Sequence, residues 1–237
     1  ISGDSKAWAI DAENGRISWK VDGIGNETNV ISSNSPAVSG KYALFGFGNG
    51  EIYATFKKGG YVLWSSSLSG RGDSRVISAI DDIVASPAIV GRNAYAADGS
   101  GKVVSLKIEN GERNWTAPFG SSGNFWIAGK SLFFISDTNK LVRLEMKTGK
   151  TVWLTELPSF AQKRPLISKK NNQHHGPIIA GDRLVIVSSD GYIRFYDPKT
   201  GQQRNKLKIK AGATANPIVV NETLYLITQD GKLRAFR

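Results

Sequence analysis

The sequence predicts an all-β protein, and three observations carry that prediction. Tight-turn dipeptides punctuate the chain about every 8–12 residues, among them Asn14-Gly15, Asn49-Gly50, Asn110-Gly111, Asp190-Gly191 and Asp230-Gly231. Between them lie apolar runs such as Leu132-Phe133-Phe134-Ile135 and Leu184-Val185-Ile186-Val187, which have strand length rather than helix length. Four tryptophans recur in one frame. Trp19, Trp64, Trp115 and Trp153 each follow a glycine by four residues (Gly15, Gly60, Gly111 and Gly149), at spacings of 45, 51 and 38 residues.

Each element of the repeat has a physical reason. A first strand carries Pro-x-x-x-Gly, as in Pro36…Gly40, Pro87…Gly91 and Pro177…Gly181, with Pro217…Asn221 as a variant. The apolar run forms a second strand. Asn-Gly or Asp-Gly then supplies the positive φ that a two-residue hairpin requires. A third strand ends near an acid, and a second turn follows: Asn14-Gly15, Asn110-Gly111, Thr148-Gly149 or Thr200-Gly201. The tryptophan rides on the fourth strand. Three hairpin steps in a row give a four-stranded antiparallel sheet, and four strands repeating at about 45 residues describe a β-propeller blade. One blade cannot bury both of its faces, so neighbours must stack. The four tryptophans are assigned to the seams between blades.

The chain is expected to be a single propeller domain over 1–237 with about five blade equivalents. Residues 1–20 supply a partial unit, 35–68, 86–119, 126–157 and 176–209 are full units, and 216–237 form a second partial unit. The two partial units are complementary. Either they pair and close a five-bladed ring, or they belong to a larger one.

Composition narrows the chemistry. The 237 residues include 31 Lys and Arg against 20 Asp and Glu, a net charge of +11. That balance suits anionic partners, but the charges are spread along the whole chain, and no basic tail suggests nucleic acid. The cluster Lys206-Leu207-Lys208-Ile209-Lys210 alternates as a half-buried strand would. Absence of Cys removes disulfides, iron–sulfur clusters and thiol catalysis, and two His cannot make a three-His metal site. The adjacent His174 and His175 are read as surface-loop residues, with no metal site and no cofactor expected. A long basic loop, 161–173, precedes Gly176.

The Asp/Glu-x-x-Thr/Asn-Gly-x-x-x-Trp element, in Asp11…Gly15…Trp19 and Glu145…Gly149…Trp153, resembles the repeat of the pyrroloquinoline-quinone-type (PQQ-like) propellers. Three longer stretches, 71–87, 175–189 and 231–237, are similar to the BamB family of outer-membrane assembly factors, in particular its alphaproteobacterial branch. The resemblance implies an eight-bladed ring of which this chain is the C-terminal part. It also implies a lipoprotein at the periplasmic face of the outer membrane, anchored through a segment outside this chain.

It implies, further, a non-enzymatic scaffold that docks through inter-blade loops onto the POTRA domains of BamA, with unfolded outer-membrane protein strands as a second partner. One family docking loop carries Leu-x-Leu-Arg where this chain has Thr28-Asn29-Val30-Ile31. Val30 is a partial match and Ile31 replaces the arginine. The other carries Asp-x-Asp where this chain has Asp82-Ile83-Val84, keeping the first acid. Asn29, Val30, Ile31, Asp82 and Ile83 are therefore the expected partner-binding residues.

Two rival functions are a quinoprotein dehydrogenase and a general peptide-binding scaffold acting by strand addition. The dehydrogenases that share the repeat carry vicinal Cys and a much longer chain. Asp81-Asp82 does not read as a catalytic pair, because neighbours on a strand diverge and no His lies beside them in sequence. Gly46-Phe47-Gly48-Asn49-Gly50 precedes strand residues, not the helix that phosphate binding needs. No catalytic residue is assigned.

Overall fold

The computed structural model describes residues 6–23, 35–47, 50–68, 85–99, 101–121, 123–159 and 171–237. These hold twenty-one strands and no helix. All the sheets are antiparallel, and each is built from strands consecutive in sequence. The chain divides into two compact units, one of Ile1–Phe125 with Met146–Lys150 and one of Trp126–Glu145 with Thr151–Arg237.

The first unit holds three sheets. A two-stranded one pairs β1 (Lys6–Ile10) with β2 (Ile17–Asp22). A four-stranded one runs β3 (Ala37–Ser39), β4 (Tyr42–Gly46), β5 (Glu51–Phe56) and β6 (Val62–Ser67). Another runs β7 (Ala88–Val90), β8 (Asn93–Ala97), β9 (Val103–Lys107) and β10 (Arg113–Ala117). Successive strand residues face opposite sides. On β4, Leu44 therefore packs with Ile52, Ala94, Val104 and Leu106, whereas Ala43 and Phe45 pack with Ala7, Val21 and Tyr53. Both faces of this sheet are buried, so its middle strands read as continuous apolar runs rather than as an alternation.

The second unit repeats the plan. It holds β11 (Trp126–Ala128), β12 (Ser131–Ile135), β13 (Lys140–Glu145) and β14 (Thr151–Glu156). Next come β15 (His174–Ala180), β16 (Arg183–Ser188), β17 (Tyr192–Tyr196) and β18 (Gln203–Lys208). A three-stranded sheet of β19 (Ile218–Val220), β20 (Thr223–Ile227) and β21 (Leu233–Phe236) completes it. Leu184 and Ile186 pack toward Phe133, Ile135 and Leu141, and Val185 and Val187 toward Ile193 and Leu226.

Two expectations need correction. His174 and His175 are not loop residues: they open β15, opposite Ser188 and Val187. The 206–210 segment is not half-buried across its strand. Every residue of β18 is exposed and only Ile209 just beyond it is buried; β6, β10 and β14, the outer strands of their sheets, each half-bury a tryptophan, where β18 carries Asn205.

Candidate docking surface

The third-to-fourth-strand turns set the geometry of each sheet. In the 11–15 turn, Asp11 Oδ1 accepts from Glu13 N at 2.8 Å, Asn14 Oδ1 accepts from Arg16 N at 2.9 Å, and Gly15 N donates to Asp11 O at 2.8 Å. In the 197–201 turn, Asp197 Oδ1 accepts from Lys199 N at 2.6 Å, Thr200 Oγ1 from Gln202 N at 3.3 Å, and Gly201 N donates to Asp197 O at 2.8 Å. This is the physical content of the Asp-x-x-Asn/Thr-Gly pattern. Two short side chains satisfy backbone donors, and a glycine closes the turn at φ +72 or +73.

The tryptophan that follows each such glycine lies on the glycine of the next turn. A Cβ on Gly60 would sit 2.5 Å from Trp19 Cε3, on Gly111 2.7 Å from Trp64 Cδ2, on Gly149 2.5 Å from Trp115 Cε3, and on Gly201 2.6 Å from Trp153 Cε3. Each indole N–H also donates to the carbonyl three residues before that glycine. Trp19 reaches Lys57 O at 3.1 Å, Trp64 Ile108 O at 2.9 Å, Trp115 Met146 O at 3.0 Å and Trp153 Pro198 O at 3.2 Å. In the fifth motif Asn205 takes the tryptophan's place. Each contact ties a fourth strand to the turn that closes the next motif.

The expected partner-binding residues Asn29, Val30, Ile31, Asp82 and Ile83 lie outside the described residues. The exits of the two segments that carry them are described. Ser35, which follows 24–34, donates its N–H to Ser86 Oγ at 3.0 Å, and Ser86 follows 69–84 closely. Buried Leu68 and Ala85 flank the second segment, and Leu68 N donates to Gly50 O at 3.0 Å. Ser35, Leu68 and Ser86, which flank these segments, therefore lie at the end that carries Phe47 and Gly50. The opposite end carries the 40–41 and 57–60 turns.

Sequence reasoning missed a buried polar cluster. Arg194 is 4% exposed. It donates to Ser188 Oγ at 2.8 Å and forms a close ion pair with Asp190. His174 reaches Ser188 Oγ at 2.7 Å and Pro158 O at 3.1 Å, and Asn172 Nδ2 donates to Pro158 O at 2.8 Å. The cluster thereby pins both ends of the 160–170 segment. Burial pushes the His174 and His175 imidazoles below their ordinary pKa. A more exposed copy joins Thr228, Asp230 and Arg234. The shared Ser/Thr-x-Asp-Gly-x-x-Arg spelling at 188–194 and 228–234 was the available signal.

Among the described residues no three His, Asp or Glu side chains converge to hold a cation.

Four-stranded blades, Asp-x-x-Asn/Thr-Gly turns and a tryptophan laid on the next glycine define a β-propeller of the PQQ-like repeat class. The family model described as outer membrane protein assembly factor BamB matches residues 1–155 and 135–237. The chain belongs to that family. It is 25% identical over 233 residues to the outer membrane protein assembly factor BamB of Shewanella oneidensis, covering 98% of this chain and 56% of that protein. It is 26% identical over 202 residues to its counterpart from Legionella pneumophila (strain Paris), covering 85% of this chain and 50% of that protein. The chain thus spans about half the length of these curated relatives. The crystal structure of BamB from Moraxella catarrhalis superposes with a TM-score of 0.79 at 20% identity, over 98% of this chain and 66% of that one. A quinohemoprotein alcohol dehydrogenase from Pseudomonas putida HK5 shares the fold at TM-score 0.67 and 14% identity, over 96% of this chain and 50% of that one.

Proposed function

We propose that this chain is part of a non-enzymatic scaffold subunit of the outer-membrane β-barrel assembly machinery. It docks through the 24–34 and 69–84 segments onto the periplasmic POTRA domains of BamA and assists folding and insertion of outer-membrane proteins. Its place is the periplasmic face of the outer membrane, held by the lipid anchor that the family resemblance implies. Membership of a family described as an outer membrane protein assembly factor supports this role. The observation that carries the docking surface is the 3.0 Å hydrogen bond from Ser35 N to Ser86 Oγ, which ties the exit of one segment to the exit of the other. An apolar pair, Val30 and Ile31, and an acid, Asp82, then offer an anchor and a polar rim on one surface.

The test is titration of labelled BamA POTRA domains with the wild type, Asp82→Arg and Val30→Glu/Ile31→Glu. Charge reversal, or burial of new charges, should weaken binding at least about 30-fold, near 2 kcal/mol. Unchanged affinity in both folded variants would remove these segments from the interface.

A further inference from the structure

The β5–β6 turn of the β3–β6 sheet differs from its four counterparts at two positions. Where they begin with Asp11, Lys107, Glu145 and Asp197, this one begins with Phe56. Where they hold Asn14, Asn110, Thr148 and Thr200 before the glycine, this one holds Gly59. Neither replacement has a side-chain acceptor, so the turn gives up both local hydrogen bonds that stabilise its 11–15 and 197–201 counterparts. Asn or Thr precedes the glycine in all four counterparts, and departure from such a local rule is characteristic of functional positions.

Beside this turn lie an aromatic pair and the Lys41 ammonium. The Tyr42 and Phe56 rings lie near parallel at 6.4 Å between centroids, and Lys41 Nζ stands 5.3 and 5.6 Å from them. Gly40, Lys41, Phe56, Lys57 and Lys58 line a recess of about 410 Å³, with no carboxylate among its described lining residues. The backbone beneath is held from two sides: Lys57 N donates to Lys41 O at 2.8 Å, and Lys57 O accepts from the Trp19 indole at 3.1 Å. Lys41 and Lys57 therefore project from fixed points. A recess of this size sits near the low end of the roughly 300–1,000 Å³ range of ligand sites. It suits a short segment, not a folded domain.

We infer that the Lys41–Lys57–Lys58 recess is a second docking site, and that its occupant is an acidic peptide segment with an apolar or aromatic residue between its carboxylates. The ring or alkyl group lies against Phe56, and the flanking carboxylates meet the lysine ammoniums. Charge complementarity selects the acid, and the aromatic floor selects against a purely polar acidic run. The recess lies at the opposite end of the β3–β6 sheet from Ser35 and Leu68, so a partner docked beside those two residues need not cover it.

The test uses the whole chain and fluorescein-labelled peptides, followed by anisotropy at low and high salt. The probes are Asp-Asp-Phe-Asp-Asp, the same peptide with Gly for Phe, and Lys-Lys-Phe-Lys-Lys; phosphatidylglycerol vesicles form a separate arm. The acidic aromatic peptide should bind, weaken with salt, and outbind the Gly version at least about threefold. Lys41→Glu/Lys57→Glu/Lys58→Glu should abolish the signal. Lys57→Gln/Lys58→Gln, which adds no like-charge repulsion, should lower affinity at least about fivefold while leaving the thermal unfolding midpoint in place. Four results would overturn the inference: no binding of the acidic aromatic peptide by the wild type, equal binding of the Gly or Lys peptide, unchanged affinity in the Gln variant, or binding confined to the vesicles.

Discussion

The indole of Trp64 covers the Cα of Gly111 so closely that a side chain there would begin 2.7 Å from Cδ2 and from Cε3. The same indole hydrogen-bonds Ile108 O at 2.9 Å. Gly111 is thus constrained twice, by its φ of +74 and by the ring above it. Gly15 has nearly the same φ, +72, with nothing within 4 Å of a would-be Cβ.

The pair separates the two constraints. Gly15→Ala should cost about 1 kcal/mol, the price of a left-handed backbone at a residue with a side chain. Gly111→Ala should cost about 2–4 kcal/mol, because overpacking against a rigid ring adds to that. Urea denaturation of both variants checks this. Equal losses would mean that backbone conformation alone explains the glycine.

Replacing the ring tests the other partner. Trp64→Ala should destabilise by about 3 kcal/mol through lost packing. Trp64→Phe should lose about 1 kcal/mol, chiefly the bond to Ile108 O. A loss below about 1 kcal/mol for the alanine variant in the same measurement would make the indole peripheral.

The two Arg–Asp pairs share a spelling and differ in burial. Arg194 and Asp190 side chains are 5% and 7% exposed, Arg234 and Asp230 24% and 32%. Arg194→Met strands a buried carboxylate and should cost about 3–5 kcal/mol. Arg234→Met should cost about 1 kcal/mol or less, since water reaches that pair. Arg194→Met/Asp190→Leu should recover most of the first loss. Equal costs at the two sites, by chemical denaturation, would contradict the burial argument.

Acid should weaken the fold in two stages. Burial holds both imidazoles below their ordinary pKa of about 6.5. Just below that value the unfolded chain binds more protons than the folded one. Stability is therefore full above about pH 6.5 and falls as pH drops toward the folded pKa. Asp197 beside Arg204, Glu112 beside Lys107 and Asp230 under the Thr228 hydroxyl are held low instead. Their contribution is lost only below about pH 4. Melting temperatures should fall between about pH 7.5 and 5.5 in the wild type and stay flatter in His174→Asn/His175→Asn. A flat wild-type profile over that window would refute the first stage.

The strands and turns were legible because their causes are local. Asp11, Asn14 and Gly15 act within one turn, and nine residues spell the whole element. The target of each tryptophan was not legible, because Trp19 bonds a carbonyl 38 residues further on and Trp153 one 45 residues on. Arg194 defied its residue type, since an arginine is expected at the surface unless something buried pairs with it. The exposure of β18 was hidden for a related reason. Alternation marks a strand but does not say whether a neighbour covers either face. Of the docking surface, Val30 and Asp82 were named only through family resemblance. The Ser35–Ser86 bond that relates their segments joins two short polar residues without any distinctive spacing.

The Trp-on-Gly contact has a direction, and that gives the chain a grammar. Each of the first four motifs contains a socket, its glycine, and four residues later a plug aimed at the following socket. A duplication or deletion that runs from any point in one motif to the same point in the next leaves plugs and sockets in register. Copy number can therefore change by recombination without inventing a new complementary pair. The same logic explains why the tryptophan spacings of 45, 51 and 38 residues can differ so widely. The motif supplies the ring, the glycine and the accepting carbonyl, and the length between motifs varies without disturbing that contact. With Asn205 the grammar ends its sentence: that repeat receives a ring at Gly201 and hands none on.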